Sequence, residues 1–113
     1  MHEMSLTEGV FRVLEEQAVM HGFTRVKTVW LEIGALSNVD PGAMLFCFEA
    51  IRGNTLAASA RLEIVRLPGL AYCLDCAKQV EVEVRYASCP DCGGGKLQVC
   101  GGDEMRIKEL EVE

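Results

Sequence analysis

The chain has 113 residues, half of them hydrophobic and a quarter charged, with a net charge of −6 at pH 7. That length holds one principal core plus a small unit that needs help to stay folded, and with no long apolar run a membrane span is not expected. The acidic balance argues against a nucleic-acid surface, which needs clustered cations. Met1-His2-Glu3-Met4 does not open a basic-then-apolar leader, so the expectation is a cytoplasmic protein whose six cysteines are thiols or metal ligands rather than disulfides.

From Ser5 to His21 the residues Leu6, Val10, Val13, Leu14 and Ala18 recur at helical spacing, Phe11 widens the stripe, and Gly22 stops it. Glu3 and Glu8 come early and Arg12 and His21 later, an order that suits the helix dipole. Thr24 to Ile33 is rich in β-branched residues, with Val29, Leu31 and Ile33 on one face and Val26, Thr28 and Trp30 on the other. Asp40-Pro41 then predicts an N-cap followed by proline at the first helical position, and Met44, Leu45, Phe48 and Ile51 carry a second helix to Gly53. Leu62 and Ile64 alternate with Arg61 and Glu63 in a strand that Pro68-Gly69 ends.

Residues 70–101 change character, with two Cys-x-x-Cys pairs, a Gly93-Gly94-Gly95 run and an alternating strand from Val80 through Val82 and Val84 to Tyr86. Met105 and Ile107, followed out of phase by Leu110 and Val112, predict a last strand with a bulge near Lys108. The expected fold is α/β in the α+β sense: two helices cover one face of a small three-stranded sheet built from 24–33, 60–67 and 103–112, with an inserted zinc ribbon. Residues 1–69 with 102–113 form the expected α/β domain and 70–101 the ribbon domain that carries the cysteine pairs. Val29, Leu31 and Ile33 are expected to face Leu6, Val10, Leu14, Leu45 and Phe48, with Trp30 on the other face.

Cys73-Leu74-Asp75-Cys76 and Cys89-Pro90-Asp91-Cys92 are separated by 12 residues. Four thiolates satisfy a tetrahedral zinc ion, and a two-residue spacer lets both sulfurs of a pair reach one metal. So small a unit has too little apolar surface to fold by burial alone, so metal would contribute much of its folding free energy. Four thiolates leave no open position, which makes the zinc structural. A redox pair would be expected beside a βαβ pattern, and a nucleic-acid ribbon beside more cations than Lys78, Arg85 and Lys96. Cys47 reads as a small core residue and Cys100 as an inert thiol near the ribbon.

At the other end, His2 is too large for efficient removal of Met1, so a free α-amine is expected there. That amine, the His2 amide and imidazole, and the Glu3 amide can form a square of nitrogens that suits Ni(II) and also Cu(II). The whole pattern resembles the hydrogenase maturation nickel chaperones of the HypA/HybF family. The resemblance rests on Met1-His2-Glu3, on Trp30-Leu31-Glu32-Ile33-Gly34-Ala35-Leu36-Ser37, on Phe46-Cys47-Phe48-Glu49, and on the two cysteine pairs in order. Asp40 stands where many relatives have a glutamate; it keeps the charge.

The resemblance implies nickel as cargo at Met1, His2 and Glu3 and structural zinc at Cys73, Cys76, Cys89 and Cys92. It also implies a HypB-like maturation GTPase and a hydrogenase large-subunit precursor as partners, with neither nucleic acid nor membrane. No Ser/His/Asp arrangement or P-loop glycine motif is present, so a non-enzymatic carrier is expected. The alternative is a zinc-stabilised protein-interaction module without nickel transport.

Overall fold

A computed structural model describes residues 2–113. In chain order the elements are α1 (His2–His21), β1 (Val26–Gly34), α2 (Pro41–Ile51), β2 (Arg61–Leu67), β3 (Gly69–Cys73), β4 (Lys78–Val82), β5 (Leu97–Gly101) and β6 (Met105–Val112). The strands form two three-stranded sheets, ordered β2-β1-β6 and β4-β3-β5. The first is the sheet expected from 24–33, 60–67 and 103–112, and the class is α+β. The chain divides into one compact unit of Met1–Leu31, Val39–Val65 and Arg106–Glu113 and another of Glu32–Asn38 and Arg66–Met105. No helix among the described residues is long and apolar enough to cross a membrane.

In the first unit, the buried residues of α1 are Thr7, Val10, Phe11 and Leu14, spaced i, i+3, i+4 and i+7 so that one stripe faces the core. The helix starts at His2, ahead of the apolar stripe read from Ser5 onward. Glu3 in the first turn favours the dipole, and the Thr7 hydroxyl donates to the Glu3 carbonyl at 2.7 Å. That bond to the i−4 carbonyl lets a hydroxyl sit in the core, and Thr7 is 1% exposed.

α2 begins as its cap dictates. Asp40 Oδ1 accepts from the peptide N–H of Gly42 at 2.9 Å and of Ala43 at 3.4 Å, two donors that have no partner inside the helix. Its buried residues are Met44, Cys47 and Phe48, whereas Leu45 is 41% exposed and Phe46 74% exposed. Leu45, expected in the core, therefore lies outside it, and Cys47 takes the inward position beside Phe48. Phe11 and Phe48 join the two helices, with ring centroids 5.1 Å apart and planes tilted by 46°. Val26, Val29 and Leu31 of β1 are fully buried, and Trp30 is half-buried. Along β6, Met105, Ile107 and Leu110 are half-buried while Lys108 and Glu109 are both exposed.

In the second unit, β3 and β4 form an antiparallel hairpin from Gly69 opposite Val82 to Cys73 opposite Lys78. β5 adds to the other edge of β3, with Cys73 opposite Leu97 and a register shift between Leu70 and Ala71. The strand expected to reach Tyr86 ends at Val82, leaving Val84 60% and Tyr86 98% exposed. Its partner β3 starts at Gly69, directly after Pro68, and proline has no N–H to extend the ladder. Ala71, Cys73, Val80, Val82 and Cys89 form the core together with Leu36. A Cβ on Gly34 would collide with the Gly102 backbone, so the close approach of these two chain segments requires glycine.

Candidate metal centre

Cys73 ends β3, Cys76 lies in the turn before β4, and Cys89 and Cys92 occupy the turn before β5. In the first turn the Cys76 N–H approaches Cys73 Sγ at 3.4 Å, and Ala77 adopts a left-handed conformation with φ of 54°. In the second, the Cys89 N–H donates to the Gly94 carbonyl and the Gly93 N–H to the Cys89 carbonyl, both at 2.8 Å. The Leu74 N–H donates to the Lys96 carbonyl at 3.0 Å, tying one turn to the chain that leaves the other.

These turns bring all four sulfurs within 4.8 Å of one another. The nearest approaches cross from turn to turn: Cys73 to Cys92 at 3.7 Å and Cys76 to Cys89 at 3.9 Å. A tetrahedron of metal–sulfur bonds of about 2.3 Å has sulfur–sulfur edges of about 3.8 Å. The four thiols therefore fit a tetrahedral zinc ion, with no position left for substrate. Without metal the quartet does not titrate uniformly. The peptide N–H groups of Cys92 and then Asp91 lower Cys89 to about 7. The thiols of Cys92 and then Cys73 push Cys76 up to about 12. A dication at the centre reverses that resistance, because a coordinating thiol is deprotonated outright.

Two ion pairs frame the quartet. Lys78 reaches Asp91 at 2.5 Å and Lys96 reaches Asp75 at 3.7 Å. Each aspartate lies inside one cysteine pair, and its lysine follows the other. Sequence reasoning missed this exchange; the one visible signal is that both pairs carry aspartate at the same internal position. Cys47 is buried in α2, and Cys100 is exposed on β5 with its thiol 3.7 Å from Gln79 Oε1, so neither joins the quartet.

At the start of α1, Met1 lies outside the described residues. His2 is exposed, with Nδ1 3.7 Å from Glu3 Oε2. The same Glu3 oxygen accepts the Asp40 N–H at 3.2 Å, and that bond, followed by Glu3's own N–H, lowers the Glu3 carboxyl. Glu3 is thus held against the residue that caps α2. The first peptide N–H groups of a helix have no intrahelical acceptor, so the His2 and Glu3 amides are not needed by the ladder.

Two helices, two small sheets and a quartet of thiols define a small α+β protein built around a metal-binding group. The chain belongs to the HypA family: residues 1–112 match the family model described as hydrogenase/urease nickel incorporation, metallochaperone. It is 59% identical over 113 residues, all of both chains, to the hydrogenase maturation factor HypA of Rhodopseudomonas palustris strain BisA53. The factor of the same name from Azotobacter vinelandii is 56% identical, again over the whole of both chains. The solution structure of the Ni metallochaperone HypA from Helicobacter pylori matches with a TM-score of 0.70 at 27% identity, over 97% of this chain and 96% of that one. A second HypA solution structure gives 0.72 at 28% identity, over 100% and 97%.

Proposed function

We propose that this chain carries Ni(II) at its amino terminus and delivers it for maturation of [NiFe]-hydrogenase, with zinc held apart at Cys73, Cys76, Cys89 and Cys92. The observation that carries the reading is the match to a nickel-incorporation family over residues 1–112, a span that includes Met1, His2 and Glu3. The Met1 amine, the His2 amide and imidazole, and the Glu3 amide offer a nitrogen square of the kind Ni(II) accepts. His2 is solvent-exposed, so cargo can enter and leave without opening a core. A recipient that offers more ligands draws the ion off. Zinc, when bound, supplies folding free energy to the second unit. Lys78 and Lys96 meanwhile tie its two turns together through Asp91 and Asp75. The proposed partners are a HypB-like maturation GTPase and a nickel-free hydrogenase large-subunit precursor.

The test is nickel titration of the zinc-loaded protein with an authentic amino terminus, beside His2→Ala and a version carrying one extra residue ahead of Met1. The expected result is one nickel bound by the parent and none by either variant. Equal binding by all three would move the site elsewhere, and no binding by any would favour the interaction module. Binding must release protons and is expected to weaken as pH falls.

A further inference from the structure

The two turns that supply the four sulfurs are anchored unequally. The Cys73–Cys76 turn joins β3 to β4, so the antiparallel hairpin holds it on both sides. The Cys89–Cys92 turn is held by the backbone where it leaves: the Leu74 N–H bonds the Lys96 carbonyl, and Leu97 pairs with Cys73. It is entered through Glu83 to Tyr86, all exposed and outside any strand. Burial fixes Cys89, which is 2% exposed, but Pro90, Asp91, Cys92 and Gly93 are all exposed. The part of the turn that carries Cys92 therefore has no core to hold it.

Charge crosses the gap that burial leaves. Lys78, at the start of β4, pairs with Asp91 of the second turn at 2.5 Å, and Lys96, at the exit of the second turn, pairs with Asp75 of the first at 3.7 Å. Each lysine has an aspartate closer in sequence, Asp75 three residues ahead of Lys78 and Asp91 five ahead of Lys96. Pairing inside each turn would stabilise the turns singly, whereas crossed pairs break only when the turns part. A Cβ on Gly94 would stand 3.2 Å from Asp75 Oδ2 and 3.4 Å from Cys92 Sγ, so the Asp75 carboxylate lies across one glycine from a ligand sulfur. Two like charges that close repel, and the cation of Lys96 offsets the repulsion.

We propose that Lys78 and Lys96, acting through Asp91 and Asp75, are positioning residues that latch the second turn onto the first and set how slowly the quartet gives up zinc. The inference rests on the reading of Cys73, Cys76, Cys89 and Cys92 as a zinc site. A small unit that metal folds gains these pairs as the metal binds, so losing one appears as weaker zinc retention. A dication among four thiolates also leaves an excess of negative charge, which two neighbouring ammonium groups stabilise. Both pairs are about half exposed. Each is therefore worth only a few-fold in an equilibrium, and salt screens it.

The test is zinc release from the zinc-loaded protein to excess chromogenic chelator, at low and high salt, for the parent, Lys78→Met, Lys96→Met and the double variant. Methionine keeps the stem and removes the charge. At low salt each single variant should release zinc roughly two- to fivefold faster and the double variant about tenfold faster. Salt should speed release from the parent and leave the double variant nearly unchanged. In double-mutant cycles Lys78→Met should couple to Asp91→Asn and not to Asp75→Asn. Cobalt-substituted variants should keep the parent's sulfur-to-cobalt charge-transfer absorption, because all four ligands remain. A parent that holds no zinc would overturn the site reading and this inference together. One zinc in the parent, with variants that release it at the parent's rate or with Lys78 coupled to Asp75 instead of Asp91, would overturn the latch alone.

Discussion

Phe46 and Phe48 stand two residues apart on α2 with opposite environments, 74% and 2% exposed. Truncating a buried phenylalanine to alanine typically costs about 3–5 kcal/mol, from lost transfer and the cavity left behind. At Phe48 the tilted contact with Phe11, centroids 5.1 Å apart, adds about 0.5–1.5 kcal/mol where such pairs have been separated from burial. Phe48→Ala is therefore expected near the upper end, about 4–5 kcal/mol, a large share of the roughly 5–15 kcal/mol of a whole domain. Phe46→Ala, with most of its ring already in water, should stay within about 0.5 kcal/mol of the parent. Urea unfolding of the zinc-loaded protein, followed by far-ultraviolet circular dichroism, reads both. Phe48→Leu provides a folded intermediate case should the alanine variant be too unstable to purify. Equal losses at the two positions, or a greater loss at Phe46, would refute the assignment of the inward face to Met44, Cys47 and Phe48.

Asp40→Ala removes the acceptor for two peptide N–H groups at the start of α2 and should cost about 1 kcal/mol, measured as a lower urea midpoint at unchanged slope. Cys89→Ala should abolish stoichiometric zinc and the hydrogen-exchange protection of β3–β5, while Cys47→Ala keeps one zinc per chain by elemental analysis; zinc retained by the first variant would contradict a four-thiol site. The Glu3 carboxyl, whose strongest influence is the Asp40 N–H, should titrate below its ordinary 4.5 in a carbon-detected NMR titration. Because its folded value is depressed, its stabilising contribution is complete above the unfolded value and is lost as pH falls through the folded one. A midpoint at or above 4.5 would mean the bond to Asp40 is absent in solution.

Much of this architecture was readable from local chemistry. Asp40-Pro41 announces α2 because its cap and first turn are satisfied within a few residues. The cysteine spacing predicts a converging quartet because the metal imposes its own geometry. Long-range choices were less readable. Nearly every position of α2 is apolar, so periodicity admits Leu45 to the core alongside Cys47, whereas only Cys47 is buried. Leu36 joins the core of the second unit from a distant stretch of chain, and no neighbouring residue signals it. Thr7 looks polar until its hydroxyl finds the Glu3 carbonyl. The strand after Cys89 had a weak alternating signal in Leu97 and Val99, diluted by the glycines before it.

Cys73 is the last residue of β3 and is flanked by Lys78 on one side and Leu97 on the other. Side chains alternate along a strand, so shifting that end by one residue turns the sulfur to the opposite face. The hairpin therefore measures chain length by parity: adding one residue to β3 removes a ligand, whereas adding two restores its direction at a different height. Length variation in this unit should consequently be found in the exposed segment from Glu83 to Tyr86, where extra residues leave the counting of the ladder untouched.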